Sequence, residues 1–467
     1  MKPSFAQIVT ALFIAELSAT FEGAMVFAAL PKLMREFGDP AKVGWLVTGH
    51  LLVAAGASVV AGRLGDIWGR QRMILAMLVI ALVGSVASAF ATSFAVLLVG
   101  RSIQGFAAAI LPLSMGVARE SLPKDRIGVA VGIIISSTAA GTATGLVLGG
   151  LIVDHFNWHW MFGASGVLLF ASWLVVVGFV PSRPGTPPKA KIDWIEGILP
   201  VPAITAILLA VSLSKSYGWL SPQILGLLAL GSAALAVWAR KSLRAAEPFV
   251  DLRLLGQRDV AVANGLAVLS ALGTSQVVLV FSTLAQAPTW THVGLGLSAT
   301  VAGLLKLPSN ILALGAGPLA GWLAQRHNSR YAMLVGTVIV SIGWLTATVL
   351  PDQIWQVVLM LCVISFGATM GTATVPHVIV GAVDMGRTSE AVGLMTVIRG
   401  LFIAVGSQIV AVMLASDTLA TPDGHGQFPT AAAFRMAMMW IAGLCLVSIL
   451  AAWALPRGQR DKAVPAM

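Results

Sequence analysis

Long apolar segments recur along the whole chain, and this repetition constrains the fold more than any other feature of the sequence. A helix of about 20 apolar residues spans the roughly 30 Å hydrocarbon core of a bilayer. The sequence therefore predicts an all-α integral membrane protein with fourteen spans. The predicted spans cover residues 7–33, 43–62, 74–92, 94–118, 127–151, 160–180, 195–213, 221–239, 260–286, 297–323, 331–350, 354–383, 390–415 and 432–455.

The composition also requires a lipid environment. Of the 467 residues, 57% are hydrophobic and 10% are charged, and the mean hydropathy is +0.90. A water-soluble core cannot bury that much apolar surface. The two cysteines, Cys362 and Cys445, fall within predicted spans, so no disulfide framework is expected. The sequence contains no nucleotide-binding Gly-x-x-x-x-Gly-Lys-Ser/Thr loop and no residue cluster with metal-ligand spacing. We therefore expect no cofactor, no metal ion and no enzymatic activity.

The basic residues are distributed unevenly between the two predicted membrane faces. If the N-terminus is cytoplasmic, most of the 29 Lys and Arg residues lie on the cytoplasmic side, including the Arg63–Arg72 and Arg240–Arg258 clusters. By the positive-inside rule, this bias predicts a plasma-membrane protein, of the bacterial inner-membrane type, with both termini in the cytoplasm. The net charge of +10 is then explained by anionic lipid headgroups, and nucleic acid is not an expected partner.

The order of spans and linkers predicts a 6 + 2 + 6 organisation. A proline-rich basic segment at 181–191 follows the sixth span, and a second basic segment at 240–253 follows the next two. Residues 61–69 align weakly with residues 320–328, each after the second span of a group of six, as in a duplicated transporter. The predicted domains are an N-terminal six-helix bundle (1–181), linkers with two additional helices (182–258) and a C-terminal six-helix bundle (259–467).

Several motifs resemble the major facilitator superfamily, and specifically its fourteen-helix drug:proton antiporter branch. The loop Gly62-x-Leu-Gly-Asp66-x-x-Gly69-Arg70 is similar to the signature loop between the second and third helices. The helix-4 motif is similar to Arg101-Ser-Ile-Gln104-Gly105. The helix-5 antiporter motif is similar to the series Gly132, Gly141, Gly145, Gly149 and Gly150. The region of the two extra helices is similar to the segments with Asp193-Trp194 and Gly218-Trp219. The resemblance covers nearly the whole chain and implies two bundles with a cavity near the bilayer midplane.

The chain departs from the pattern of this branch at two informative places. Glu22 stands in helix 1 where the branch usually has aspartate, and Leu146 replaces the proline expected after Gly145. That proline is associated with antiport, so its loss concerns the mode of coupling rather than the fold. The small residues Gly132 and Ser136 begin a four-residue-spaced stripe in the same helix, which predicts helix packing.

The loop between the second and third spans combines glycines with fixed charges. The glycines allow close helix approach and a tight turn. Asp66 can face the positive N-terminal end of a helix, and Arg70 can form a forked contact with Glu120. The resemblance implies that this loop forms a cytoplasmic latch, whereas the alternative is a basic loop that only sets topology. The predicted latch residues are Gly62, Gly65, Asp66, Gly69, Arg70 and Glu120.

Two acids and one arginine lie within the spans of the first half. Glu22 and Arg101 are predicted at similar depths, and an ionisable residue there usually faces a cavity or a partner. Desolvation favours the neutral form of a carboxyl group, whereas a neighbouring arginine favours the ionised form. This competition suits a proton-coupling site, although a permanent structural ion pair is the alternative. Glu16, nearer the cytoplasm, could read a cationic substrate or carry a second proton.

The second half contains another set of polar residues within its spans. Lys306 could bind an anionic group or pair with Glu22, Arg399 is common in the branch and could be structural, and a structural hydrogen-bonded role is favoured for His377. The predicted substrate-cavity residues are Gln276, Lys306, Asn310, His377 and Arg399.

Together these features predict a proton-coupled secondary active exporter of hydrophobic or amphiphilic small molecules. It would work by alternating access and, like most of the superfamily, as a monomer. Glu22 would exchange the proton and Arg101 would tune it. The alternatives are an uncoupled facilitator or a carrier of lipid or organic anions, which Leu146 and Lys306 would fit, and a membrane receptor that does not transport.

Overall fold

The computed structural model describes residues 3–123, 126–185, 197–245, 248, 251–383, 388–421 and 426–455. Within these residues, thirteen helices are long and apolar enough to cross a membrane, so the predicted multi-pass helical fold is confirmed. The predicted span 195–213 corresponds to a shorter apolar helix, Pro200–Ser214. Its first residues and the Asp193-Trp194 pair lie outside the described residues, so the fourteenth span stays a prediction.

The chain forms two compact units. The first unit comprises residues 1–38, 42–238 and 298–304. Its helices are α1 (Phe5–Phe37), α2 (Pro40–Trp68), α3 (Arg70–Ala89), α4 (Phe94–Gln104), α5 (Ile110–Ser121), α6 (Ile127–His155), α7 (His159–Phe179), α8 (Pro200–Tyr217), most of α9 (Pro222–Arg244) and the short α12 (Ala299–Leu304). Long-range packing here centres on α1, whose buried residues include Leu12, Met25 and Leu30.

The second unit comprises residues 39–41, 239–297 and 305–467. Its helices are α10 (Arg258–Leu272), α11 (Val277–Gln286), α13 (Leu307–Arg326), α14 (Ser329–Ala347), α15 (Ile354–Ala382), α16 (Thr388–Leu414) and α17 (Ala431–Trp453). A small antiparallel hairpin of β1 (Thr418–Ala420) and β2 (Gln427–Pro429) is inserted between α16 and α17. The predicted three-part division at residues 181 and 258 stays a prediction.

Polar residues placed at the ends of apolar runs explain where several spans begin. Ser4 and Gln7 form a reciprocal capping box at the start of α1. The side chains of Ser93, Asn328 and Thr430 accept a backbone N–H at the starts of α4, α14 and α17. These side chains satisfy amide groups that have no partner within the helix, so each span starts at a defined residue.

Three of the described spans are interrupted within their length, and a polar side chain lies at each interruption: Gln104, Gln276 and Lys306. A 3₁₀ turn over Gly105–Ala109 separates α4 from α5, and another over Thr274–Gln276 separates α10 from α11. The third break, at residues 305–306, separates α12 from α13. A broken helix leaves carbonyl groups without their usual amide partners, and nearby side chains must satisfy them.

Candidate functional site

The loop between α2 and α3 brings one arginine against two carboxylates. Arg70 donates from Nη2 and Nε to Asp66 Oδ1, at 2.7 and 3.2 Å. Its Nη1 lies 3.0 Å from Glu120 Oε1 at the end of α5. Because Arg70 and Glu120 are 23% and 39% exposed, water and salt weaken this network. The geometry joins α2, α3 and α5 on one side of the first unit, and its role as a latch stays a prediction.

Two of the three predicted loop glycines are required by their surroundings. A Cβ on Gly65 would collide with Leu113, and Gly69 has a φ of +97°, which disfavours other residues. Gly116 of α5 also belongs to this arrangement, because a side chain there would overlap the Arg70 guanidinium. For Gly62, no atom of the described residues lies within 4 Å of a would-be Cβ, so close approach stays a prediction there.

Arg101 is completely buried and is held mainly by uncharged oxygen atoms. Its Nη1 donates to the main-chain carbonyl of Glu22 at 3.1 Å and to Gln104 Oε1 at 2.7 Å. Gln104 Nε2 in turn donates to Ser85 Oγ at 2.7 Å. Gln104 therefore orients the guanidinium, while Ser85 fixes Gln104. Substituting Gln104 or Ser85 is therefore expected to move the guanidinium of Arg101, which carries the buried positive charge.

The Glu22 carboxyl group is buried without a hydrogen bond. The residue is 0% exposed, and neither carboxyl oxygen has a partner among the described residues. Arg101 is near enough to interact electrostatically with Glu22, although its hydrogen bond goes to the main-chain carbonyl. A closed structural ion pair is therefore not the observed geometry. The site holds an acid that can change protonation without breaking a hydrogen bond to the described residues.

Two further buried ionisable groups lie in the first unit. Glu16 is 3% exposed, and its Oε1 accepts only a long contact of 3.5 Å from Thr138 Oγ1. His50 of α2 is buried, its Nδ1 has no partner among the described residues, and it lies within electrostatic reach of Arg101. Sequence reasoning missed His50, although a histidine within a predicted span meets the same criterion as Glu22.

The helix-5 glycines form the contact between α6 and α1. A Cβ on Gly145 would lie 2.7 Å from the Phe21 carbonyl oxygen, and one on Gly149 would lie 3.1 Å from Met25. A Cβ on Gly141 would overlap Thr20 Oγ1 and would lie 2.7 Å from the Leu17 carbonyl oxygen. The absence of side chains thus permits two backbones to touch.

The packing stripe predicted in α6 is displaced around the helix. Gly132 and Ser136, which begin the predicted stripe, are exposed, whereas the row that touches α1 runs through Gly141 and Gly145. That prediction was therefore wrong about the face of the helix. The face changes because the two rows are offset by one residue, which corresponds to about 100° of rotation.

The C-terminal half of α6 packs against the short helix α12 in the same unit. A Cβ on Gly150 would lie 2.6 Å from the main-chain nitrogen of Thr300. A Cβ on Gly303 would lie 2.7 Å from the carbonyl oxygen of Leu146, the residue that replaces the expected proline. Leu146 is buried in this contact. The departure from the family pattern therefore lies at a tight backbone junction.

Asp154, near the end of α6, caps the start of α12. Its Oδ1 accepts from the amide of Ala299 at 2.9 Å, and its Oδ2 accepts from the amide and hydroxyl of Thr300 at 2.9 and 2.5 Å. A carboxylate at a helix N-terminus satisfies free amide groups and complements the helix dipole. The sequence alone did not single out Asp154, because its partners are distant along the chain.

The predicted cavity residues of the second unit have different environments. Gln276 donates both of its contacts to carbonyl oxygens, of Ala271 at 2.9 Å and Ile403 at 3.1 Å. Gln276 is buried, and its amide satisfies carbonyl groups at the break between α10 and α11. Its prediction as a cavity residue is therefore not supported. His377 is exposed on α15.

Lys306 and Asn310 lie one turn apart at the start of α13. Lys306 is buried, and its Nζ donates to Ser365 Oγ at 2.5 Å. The Nδ2 group of Asn310 has no partner among the described residues. The two side chains therefore offer donors near a helix break, and no described carboxylate pairs with the lysine.

Arg399 lines a cavity inside the second unit. The cavity is bounded by α10, α14, α15, α16 and α17, with the turn after α10. Arg399 is the one predicted cavity residue among its lining residues. Its Nε has no hydrogen-bond partner among the described residues.

The apolar helices, together with the charged groups buried among them, define a multi-pass membrane protein. The chain belongs to the Major Facilitator Superfamily, whose model matches residues 12–407.

Similar proteins include transporters from two bacteria. An uncharacterized MFS-type transporter of Mycobacterium tuberculosis is 30% identical over 86% of this chain, and the chain spans 57% of that protein's length. Multidrug resistance protein 3 of Bacillus subtilis is 26% identical over 79% of the chain and 72% of its own length. The multidrug resistance protein Stp of Mycobacterium tuberculosis is 28% identical over 86% of the chain and 74% of its own length.

Solved structures of distant transporters share the fold. The POT family transporter PepTSo has a TM-score of 0.68 at 15% identity, covering 97% of this chain and 99% of that chain. The nucleoside transporter NupG has a TM-score of 0.66 at 14% identity, covering 96% of this chain and 98% of that chain. At these identities the similarity establishes the fold and nothing about the substrate.

Proposed function

We propose that the chain is a proton-coupled exporter of hydrophobic or amphiphilic small molecules that works by alternating access. The observation that carries the proposal is the Glu22 carboxyl group, which is fully buried and has no hydrogen-bond partner among the described residues. The names of the multidrug resistance relatives support this class of substrate. We further propose fourteen spans, a plasma-membrane location with both termini cytoplasmic, and function as a monomer.

Glu22 and Arg101 have complementary roles in this proposal. Burial favours the protonated, neutral carboxyl group, whereas the Arg101 charge favours the ionised one. Because Arg101 is held by Gln104 Oε1 and by a main-chain carbonyl, it can stay in place while Glu22 gains or loses its proton. A substrate that brings water or a charge near this site would shift the balance. Glu16 is a candidate for a second proton, because its one side-chain hydrogen bond to the described residues is long.

The Arg70 network is the proposed cytoplasmic latch. It links the ends of α2, α3 and α5 through one guanidinium and two carboxylates. Partly exposed ion pairs are individually weak, so such a network can open and close during a transport cycle. A tight buried ion pair would be less suited to that role.

The coupling is tested in proteoliposomes that contain the purified protein. Efflux of a fluorescent amphiphile is measured with and without an imposed pH gradient, together with the movement of protons. The wild-type chain should transport faster with the gradient, and Glu22→Gln should lose this acceleration. Asp352→Asn in the loop before α15 is the matched control and should behave as the wild type. Transport that ignores the gradient in the wild type and persists in Glu22→Gln rejects the coupling.

A second candidate function is an uncoupled carrier of organic anions or lipids. Leu146 favours this candidate, because the family position that is associated with antiport lacks its proline. Lys306 also favours it, since a buried lysine with one hydroxyl partner can bind an anionic group. Counterflow of labelled substrate without any gradient, combined with no proton movement, would support this candidate over the first.

A further inference from the structure

We propose that the cavity around Arg399 is a binding site for a compact hydrophobic carboxylate. The site lies wholly within the second unit and is formed by helices of that unit. The inference goes beyond the proposed transport function, because it concerns binding and requires neither a proton gradient nor Glu22.

The cavity has room for a compact small molecule. Its volume is about 90 Å³ when measured as the space open to the centre of a water-sized sphere, which is several times the roughly 10–15 Å³ that one water molecule needs by this measure. Five helices contribute to its walls. The residues that matter for recognition are Leu266, Ser270, Met333, Gly371, Met395 and Arg399.

The walls are mainly apolar and adaptable. Leu266 and the two methionines, Met333 and Met395, supply hydrophobic and polarizable surface. Gly371 leaves open space, because a Cβ there would meet only the sulfur of Met333, at 3.9 Å. A hydrophobic body of suitable shape is therefore expected to gain free energy by leaving water for this space.

Most polar groups around the cavity are already engaged by the protein. Thr337 donates to the carbonyl oxygens of its own helix, and Ser448 does the same. Thr274 Oγ1 and Cys445 Sγ contact each other at 3.3 Å. These groups help to set the shape of the cavity but do not demand a charged ligand.

Arg399 is the polar group that lacks a partner. Its Nε is buried, and no described residue accepts a hydrogen bond from the guanidinium or forms an ion pair with it. A guanidinium cannot be deprotonated in practice, so it keeps its charge and its donors. Arg399 is half-buried with its Nε fully buried, so a donor left without an acceptor there costs free energy, and a planar carboxylate is the group that satisfies a guanidinium fork best.

The rest of the unit offers no described carboxylate at this depth. The acids of the second unit whose side chains the structure describes lie in loops or in the first turn of a helix, namely Asp39, Asp251, Asp259, Asp352 and Asp417. Lys306 differs from Arg399, because its ammonium group already contacts Ser365. Among the side chains that the structure describes, none supplies the counter-anion of Arg399, so we assign that role to a ligand, and the apolar cavity walls favour a hydrophobic one.

The test measures binding to the purified full-length chain in nanodiscs without any gradient. Three probes share one aromatic body and differ in charge: naphthoate, naphthylmethanol and naphthylmethylammonium. Naphthoate should bind best, and naphthylmethylammonium should bind worst. Equal affinity for all three probes would overturn the proposal, because charge would then play no part.

Four variants place the binding in this cavity. Arg399→Gln should weaken naphthoate binding by about tenfold or more, while leaving naphthylmethanol binding nearly unchanged. Arg399→Lys should retain part of the affinity, because it keeps the charge but loses the fork. Gly371→Leu should fill the cavity and abolish binding of naphthoate. Gly381→Leu lies on the same helix, with no described atom within 4 Å of its would-be Cβ, so it is the matched control and should bind as the wild type.

The variants also keep the test decisive if one of them fails to fold. If Arg399→Gln does not fold, naphthoate binding by Arg399→Lys and Gly371→Leu decides whether the proposal holds. Full naphthoate binding by folded Gly371→Leu, or by folded Arg399→Gln, would overturn the proposal. Loss of proton coupling in Glu22→Gln with intact naphthoate binding would leave this inference standing, so the two proposals fail independently.

Discussion

The contact between α1 and α6 yields a prediction with a matched internal control. Gly145→Ala places a Cβ 2.7 Å from the Phe21 carbonyl oxygen and 3.0 Å from the Ala24 Cβ. Ordinary van der Waals contact begins at 3.4 Å, so the first overlap is 3.4 − 2.7 = 0.7 Å. Because the obstructing atom is backbone, no side-chain rotation relieves the overlap. The two helices must separate or the main chain must distort.

The cost can be isolated by comparison with Gly132→Ala in the same helix. Gly132 is exposed, and no atom of the described residues lies within 4 Å of its would-be Cβ. Both substitutions gain the same intrinsic helix preference of about 1 kcal/mol for alanine over glycine. Only Gly145→Ala adds overpacking, which typically costs about 1–3 kcal/mol. The difference in the free energy of unfolding between the two variants should therefore be about 1–3 kcal/mol.

Reversible unfolding of the purified variants in detergent micelles measures this difference. We expect Gly132→Ala to equal or exceed the wild type in stability and Gly145→Ala to fall below Gly132→Ala. If the two variants agree within about 0.5 kcal/mol, α1 and α6 are not in backbone contact, and the explanation of the helix-5 glycines is wrong.

Two further predictions concern polar contacts of the first unit. Asp154→Ala removes the cap of α12 and should lower the free energy of unfolding by about 1–2 kcal/mol, with the exposure of Asp154 favouring the lower end of this range. In the same unfolding assay, Asp154→Asn should lose less stability, and Asp352→Ala should lose almost none. In a double-mutant cycle, Arg70→Lys and Glu120→Gln should show a coupling of at most about 1 kcal/mol in stability, and a value above about 3 kcal/mol would mean that the pair is buried.

The spans and the charged loop were predictable because their signals are local. A long apolar run identifies a span wherever it occurs, and the run of glycines with Asp66 and Arg70 is contiguous in sequence. The same criterion marks Glu22 and Arg101 as unusual, since each is an ionisable residue within a span. Applied evenly, it also marks His50.

The contacts between helices were less predictable, and the physical reason is the solvent. In a membrane, the helix face toward lipid is as apolar as the face toward protein, so hydrophobic periodicity does not identify the packed face. This explains why the stripe beginning at Gly132 was predicted in place of the row through Gly141 and Gly145. Gln276 was misread for a related reason, because the helix break that it repairs has no strong signal in the sequence.

The Asp154 contact has a consequence for the order of events during synthesis. Asp154 precedes the amide of Ala299 by 145 residues. At a translation rate of about 5–20 residues per second, the ribosome needs roughly 7–30 s to produce the partner amides. During that interval the Asp154 carboxylate at the end of α6 lacks these partner amides. The cap of α12 can form only after the intervening spans have been synthesised. Assembly of the first unit is therefore completed late, by a segment delivered after most of its helices.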